Sequence, residues 1–362
     1  MKVTIIGAGN SGLAMAAHLS QKGSQVTLWN RSYPTIEILM DTHIIKCEGI
    51  VSGEIPIHLV TDDIELALKD PDIILITTPA SSHMELAELI AKNIYKSTAI
   101  VLNPGRTFGA LKFKNTYYSY NKKYPQIVAE AQTCMYTCRK IAPDAVEIIA
   151  IKNDIPIFAL DLSDNRSIIN YLPVYLQQYF SPVDSMIQTS IGNVGMILHC
   201  APLLLNAGWT ENELNTYSYY YDGISPTIGS FLEKLDDERV TVSEALGYKV
   251  ESTKEWLART YDVNCHSLYE CIQNVDAYRT IEAPKSLCHR YIYEDIPCGL
   301  VPLEAIGLKL DLNMSYSTLI IDLASKLLDV DFRKIGRNLN SLGISEDSNE
   351  FLKIFEKRLL HE

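Results

Sequence analysis

The sequence predicts a doubly wound, mostly parallel α/β sheet followed by an all-α region. Three observations carry that prediction. The first thirty-two residues pass from an apolar strand through a glycine-rich turn into an apolar helix and out along a second apolar strand. Short apolar runs then alternate with helical patterns, the arrangement that builds a parallel sheet covered on both faces. Past Ile191 the strand-like runs give way to long helical periodicities. A chain of 362 residues is ample for two domains, each with its own core. Its 47% hydrophobic and 21% charged content is that of an ordinary globular protein.

Val3 to Ile6 reads as a buried strand and runs into Gly7-Ala8-Gly9-Asn10-Ser11-Gly12. The helical pattern that follows carries Leu13, Ala16, Ala17 and Leu19 on one side, and Gln25 to Trp29 forms the next strand. Such a unit holds a dinucleotide pyrophosphate on backbone N–H groups at a helix N-terminus. Gly7 permits the tight turn, Gly9 lets the backbone approach the phosphates, and Gly12 lets the helix pack close to the strand. These three, with Asn10 and Ser11, are the expected cofactor-binding residues of a Rossmann-type domain. The glycine spacing alone is weak; its place between a strand and a helix makes it informative. NAD-selective sites usually end the second strand in Asp or Glu, whose carboxylate takes the ribose hydroxyls and repels a 2′-phosphate. This chain has Asn30-Arg31-Ser32 there. Arg31 suits a 2′-phosphate, with Asn30 and Ser32 as further donors, so NADP(H) is the expected cofactor. NAD(H) stands as the alternative if Arg31 is an ordinary surface arginine.

Further along, Asp63 to Lys69 reads as a short helix, and Asp72 to Pro79 as a strand that ends at the cofactor edge, with Pro79 among the cofactor-binding residues. A helix from about Met84 to Ile94, a strand Ala99 to Leu102 and the loop Asn103-Pro104-Gly105-Arg106-Thr107 follow. Val128 to Thr133 and Ala145 to Ile151 supply more β material. Glu211 to Tyr221, Pro226 to Glu238 and Tyr316 to Leu328 show helical periodicity. The expected division is a dinucleotide-binding domain over 1–184 and a helical domain over 185–362. The tyrosines Tyr217, Tyr219, Tyr220 and Tyr221 read first as packing.

A formal net charge of −12 argues against nucleic acid and anionic membrane as partners, since both demand basic surface. No apolar run reaches transmembrane length, and Met1-Lys2 leads directly into the first strand. The eight cysteines, Cys47, Cys134, Cys138, Cys200, Cys265, Cys271, Cys288 and Cys298, show neither a C-x-x-C pair nor zinc-site spacing. They are read as reduced thiols in a cytoplasmic protein that holds no metal.

Two segments carry candidate chemistry. Asn193 to Gly208 sets His199 inside an apolar helix with Asn193 and Asn206 at its ends; a lone histidine there is commonly a hydrogen-bonded core residue. His289-Arg290-Tyr291-Ile292-Tyr293-Glu294-Asp295 packs a guanidinium and two carboxylates among apolar neighbours just before a Pro/Gly-rich turn. Buried charges need partners or a function. An Asp beside a His fixes the imidazole tautomer and raises its basicity, and an Arg offers a fork for a substrate carboxylate.

Taken together these segments resemble the octopine/nopaline (opine) dehydrogenase family along nearly the whole chain. The resemblance rests on the glycine turn, Asn103 to Ala110, Ala129-Glu130-Ala131-Gln132-Thr133, Tyr136 and Arg139. It continues through Asn193 to His199, Asn206-Ala207-Gly208, Tyr220 to Ile224, Asp237-Glu238-Arg239 and Ala245-Leu246-Gly247. It closes on His289-Arg290-Tyr291 with Glu294-Asp295, and on Gly336-Arg337 with Leu342-Gly343. It implies a Rossmann domain, a helical domain and substrate held in the cleft between them. The implied reaction condenses an α-keto acid, often pyruvate, reductively with the amino group of an amino acid. In it His199 and Asp295 do the acid–base work and Arg290 holds a substrate carboxylate; Gln132 and Thr133, at the end of a late strand, are expected to line the cleft, the alternative being that they satisfy loop backbone. The chain departs from the family after the histidine, where proline is common: it has Cys200, and proline returns at Pro202. The rivals are a two-domain 2-hydroxy-acid or ketopantoate-type dehydrogenase and a non-catalytic NADP(H)-binding protein. A homodimer is compatible with all of these.

Overall fold

The computed structural model describes residues 1–160, 162 and 165–344; residues 345–362, assigned above to the helical domain, lie outside the described residues. The chain divides into two compact units, one of Met1–Gly105 with Gly109–Thr189, the other of Arg106–Phe108 with the residues from Ser190 on.

Among the described residues the first unit contains twelve strands: β1 Lys2–Ile6, β2 Gln25–Trp29, β3 Ile44–Gly49, β4 Gly53–Pro56, β5 Leu59–Thr61, β6 Ile73–Ile76, β7 Ala99–Leu102, β8 Ile127–Ala131, β9 Tyr136–Ala142, β10 Ala145–Ile151, β11 Ile155–Ala159 and β12 Phe180–Pro182. Eight form one sheet in the order β12-β11-β8-β7-β6-β1-β2-β5. From β8 to β5 every pairing is parallel; β11 runs antiparallel to β8, and β12 follows β11. The central strands are apolar on both faces because side chains alternate. Ile5, Ile73, Leu75 and Val101 enter one core cluster, while Ile6, Ile74, Ile76, Ile100 and Leu102 enter the other. Helix α1, Asn10–Gln21, packs on the first face and α2, His83–Asn93, on the second. From β1 the chain winds outward to β2 and β5, then returns to β6 and winds the other way. The β1–β6 boundary is therefore the switch point, where the turns after both strands diverge and leave room for a ligand.

The remaining strands form a second sheet, β4-β3-β10-β9, which the sequence reading did not separate from the first. Ala145 to Ile151 is a strand as expected, but it joins this smaller sheet. The consequence shows in α1. Besides Leu13, Ala16, Ala17 and Leu19, the residues Ala14, Met15 and His18 are buried, because Ile45, Val146, Ile148 and Tyr136 complete the same cluster. His18 Nδ1 lies 3.1 Å from the Tyr136 hydroxyl, and burial pulls its pKa down to about 4, which leaves it neutral.

The second unit is helical. Its helices include α3 Gly195–Leu198, α4 Cys200–Leu205, α5 Pro226–Ala245, α6 Arg290–Tyr293, α7 Val301–Lys309 and α8 Ser315–Leu328. Ser225 caps α5, accepting from Ile228 N at 3.3 Å, and Pro226 sits at the first helical position, where its missing N–H costs nothing. The Glu238 carboxylate on α5 accepts from Tyr316 N at 2.7 Å and Ser317 N at 2.8 Å, an anion set on the uncapped N-terminus of α8.

Two expectations are corrected here. Glu211 to Tyr221 is not a helix: after the short helix Ala207–Thr210 the chain runs through turns, and Tyr217, Tyr219 and Tyr220 owe their spacing to ring packing. Tyr220 stacks on Tyr278 at 4.1 Å, and Trp209 stacks on Tyr217 at 4.2 Å. Nor are all eight cysteines reduced: Cys265 is joined to Cys271 with Cα atoms 5.2 Å apart, the intervening turn and helix start bringing them together. Among the described residues no helix is long and apolar enough to cross a membrane, and no group of three His, Cys, Asp or Glu side chains could hold a metal ion.

Candidate active site

In the sheet unit the glycine turn closes β1 onto α1. Gly7 adopts φ +108°, a conformation side chains rarely tolerate, and a Cβ there would come within 2.7 Å of Thr78 Cγ2. At Gly12 a Cβ would run into the Gly7 carbonyl oxygen and lie 2.9 Å from Thr77 Oγ1, so α1 reaches the strand only because Gly12 lacks a side chain. Gly9 differs: its backbone is extended and a Cβ there would meet nothing within 4 Å. No side chain caps α1. An uncapped helix N-terminus with Asn10 and Ser11 in its first turn, beside a Gly9 whose Cβ position is open to 4 Å, fits a dinucleotide pyrophosphate.

The other candidate cofactor residues surround this turn. Asn30 Oδ1 accepts from Ala8 N at 3.1 Å, so Asn30 shapes the turn itself. Its amide also donates to Ser32 O at 3.2 Å, and Ser32 precedes the helix Tyr33–Thr42. Arg31 is exposed and paired with Glu85, also exposed. Pro79 follows β6 across the switch point, its carbonyl accepting from the Ser82 hydroxyl at 2.7 Å. Lys140 on β9 is a neighbour that sequence reasoning missed. Its N–H donates to Asn10 Oδ1 at 3.1 Å, its ammonium to Ala8 O at 3.3 Å, and burial holds its pKa below the usual lysine range. Only the second sheet brings it there. Gln132 is buried and Thr133 half-buried beyond the end of β8; Thr133 Oγ1 accepts from Lys152 Nζ at 3.2 Å.

In the helical unit the structure brings His199 and Asp295 together. Between α3 and α4 the helix breaks at His199. The cause is Pro202, whose nitrogen has no hydrogen for the Leu198 carbonyl. Tyr219 makes good the loss, its hydroxyl donating to Leu198 O at 3.4 Å and more closely to His199 O. The histidine expected within a helix thus stands at an interruption, freed from regular helix geometry. Asp295 lies between α6 and a π-helical turn, Ile296–Leu300, an irregularity that often marks a functional site. His199 Nδ1 is 2.7 Å from Asp295 Oδ2, and Tyr291 stacks on the imidazole at 4.1 Å with the planes 10° apart.

The electrostatics fix the tautomer. Burial pushes the Asp295 carboxyl up, but the Arg106 charge, and then His199 through its hydrogen bond and its charge when protonated, outweigh it and hold it below the usual range. An ionised carboxylate only accepts, so Nδ1 carries the hydrogen and Nε2 is left for chemistry. Burial, more than the opposing pull of Asp295, lowers the His199 pKa, so the ring is neutral near pH 7. Arg290 is half exposed; it lies 4.0 Å from Glu294 and over the Tyr291 ring at 5.6 Å. Asn193 Oδ1 accepts from Gly195 N at 3.0 Å, while its buried Nδ2 has no acceptor in the protein among the described residues.

Residues 182–328 match the family model described as NAD/NADP octopine/nopaline dehydrogenase, alpha-helical domain. Residues 2–105 match the NAD-dependent glycerol-3-phosphate dehydrogenase N-terminus. An opine dehydrogenase of Arthrobacter sp. (strain 1C) is 36% identical over 343 residues, 94% of each chain. An octopine dehydrogenase solved in complex with NADH and agmatine superposes with a TM-score of 0.77 over 100% of both chains at 16% identity. A yersinopine dehydrogenase with NADP+ bound gives 0.69 over 98% of this chain and 97% of that one, also at 16% identity.

Proposed function

The chain belongs to the octopine/nopaline dehydrogenase family, and from that premise we propose how its residues divide the work of the reaction. It is an NAD(P)-dependent oxidoreductase acting on CH–NH donors, condensing an α-keto acid reductively with the amino group of an amino acid and catalysing the reverse. The observation that carries the division of labour is the buried His199–Asp295 pair with Nδ1 committed to the carboxylate.

The amine adds to the keto carbon to give a carbinolamine, which must lose water. Protonated His199 gives its Nε2 proton to the departing oxygen, and Asp295 stabilises the imidazolium while it lasts. When bound, the nicotinamide supplies the hydride that reduces the iminium carbon. In the oxidative direction neutral His199 takes a proton, the state its buried surroundings favour. Arg290 holds a substrate carboxylate, its exposed guanidinium oriented by Tyr291. Asn193 Nδ2 donates to a substrate oxygen, which gives that buried amide the acceptor it lacks among the described residues. Gln132 and Thr133 serve as further polar contacts. The test is NADPH and NADH oxidation with pyruvate, with and without a panel of amino acids. Turnover is expected only when keto acid and amine are both present. Turnover with keto acid alone would indicate a hydroxy-acid dehydrogenase, and cofactor binding without turnover a binding protein.

The cofactor assignment rests on Arg31, with Gly7, Gly9, Asn10, Ser11, Gly12, Asn30, Ser32 and Pro79 around the turn. Arg31 leaves Glu85 to pair with the 2′-phosphate of NADP(H), which makes NADP(H) the preferred cofactor. Arg31→Ala is expected to raise KM for NADPH about tenfold, one charge-assisted hydrogen bond, and to leave KM for NADH nearly unchanged. Equal changes in both would return Arg31 to the surface.

A further inference from the structure

Arg106 has no part in the mechanism above, yet it lies at its centre. It begins the three-residue segment that belongs to the helical unit. That segment is tied down by Thr107 N donating to Cys298 O at 3.1 Å, Arg337 Nη1 to Thr107 O at 2.8 Å and Phe108 N to Ser190 Oγ at 2.9 Å. Arg106 and Phe108 both sit in the left-handed region, at φ +58° and +55°, strain that persists only where the surroundings impose it. Of the buried guanidinium, Nε donates to Glu294 Oε1 at 3.2 Å, and Nη1 donates to Asn193 Oδ1 at 3.2 Å and lies 3.4 Å from Asp295 Oδ1.

We propose that Arg106 is a positioning residue for the His199–Asp295 pair, holding Asp295 by its far oxygen so that Oδ2 is presented, ionised, to His199. The inference rests on the roles given to His199 and Asp295. Two adjacent buried carboxylates repel each other, and one takes up a proton unless a cation stands between them. Arg106 is placed between them. The groups facing Asp295 are His199 and Cys200 at the helix break, Arg106 from the loop, His289, Arg290, Tyr291 and Glu294 on its own segment, and Cys298 in the π turn. Of the two arginines Arg106 is buried and lies 3.4 Å from Asp295 Oδ1, while Arg290 is half exposed and lies 4.0 Å from Glu294. The space for it exists because residue 195 is glycine. A Cβ at Gly195 would strike Arg106 Nη1 and lie 3.1 Å from Asn193 Oδ1 and 3.3 Å from Asp295 Oδ1.

The test follows the His199 ring by NMR in cofactor-free, 15N-histidine-labelled protein across pH, the resonance assigned by its loss in His199→Gln. The acid-side step of that titration reports Asp295 taking up its proton beside the ring. Arg106→Gln is expected to move this step upward by about one to three pH units, and Arg106→Lys to restore most of it. Gly195→Ala, which keeps every charge but crowds the guanidinium, moves it the same way. Thermal melts run beside the titration, since a purely structural role would lower Tm and leave the step in place. An unchanged step in Arg106→Gln, or in Gly195→Ala should Arg106→Gln fail to fold, overturns the proposal. A shifted step without turnover on any keto acid and amine keeps Arg106 and removes the opine assignment. Normal turnover with an unmoved step does the reverse.

Discussion

His199→Gln is expected to lower kcat about 10²- to 10⁴-fold in both directions, the range that positioned acid–base catalysis contributes, while leaving NAD(P)H affinity near wild type. The expectation follows from the commitment of Nδ1 to Asp295, which leaves Nε2 to exchange the proton. Glutamine keeps the polarity but does not titrate. Asp295→Asn has a comparable effect by another route: the amide can donate to Nδ1, which favours hydrogen on Nε2 and the wrong tautomer for base catalysis, a loss of about 10⁴-fold where this has been isolated in a His–Asp pair. Steady-state kinetics in both directions, with fluorescence titration of NADPH on each variant, make the check. A His199→Gln enzyme within threefold of wild-type kcat would return the histidine to a structural role and move the acid–base work elsewhere in the cluster.

The residues of this pair were legible in the sequence, but the geometry around them was not. The buried-charge argument pointed to Asp295, whereas His199 by itself read as a core histidine, and it was the family resemblance that paired the two. The helix break at His199 that Pro202 causes is sustained by the Tyr219 hydroxyl donating to Leu198 O and His199 O, a contact across about twenty residues that no local pattern reveals. Arg106 was present in the quoted Asn103 to Ala110 segment, yet an arginine in a glycine-containing loop reads as solvated. Only the fold shows it buried against Asn193, Glu294 and Asp295. The sheet tells the same story. β1, β6 and β7 are apolar runs whose burial on both faces declares a central parallel sheet. β3, β4 and β9 mix charged and apolar residues, because they form a small half-exposed sheet, and they carry no comparable signal. Lys140 was hidden with them. The helical reading of Glu211 to Tyr221 failed because aromatic residues that pack on one another can imitate the spacing of an amphipathic face.

The glycine turn makes the second large prediction, and here two residues of one motif must behave differently. Gly9→Ala is expected to fold with an unchanged Tm, because its extended backbone suits any residue and its Cβ meets nothing in the protein. The space that methyl enters is the space the pyrophosphate needs, so NADPH binding should weaken about 10²-fold, the scale of a displacement near 1 Å at a close-fitting site. Gly12→Ala should fail differently. Its Cβ collides with the backbone carbonyl of Gly7 and presses within 2.9 Å of Thr77 Oγ1, neither of which can move without shifting α1 from β1. Stability should fall by about 1–3 kcal/mol, the usual cost of overpacking, and cofactor affinity should fall with it. Thermal melts and NADPH titrations on the two variants separate the cases. If Gly9→Ala binds NADPH as wild type does, the pyrophosphate does not approach this turn, and the cofactor site must lie elsewhere on the sheet. If it loses binding while Tm stays put, the open space beside Gly9 is where the cofactor sits.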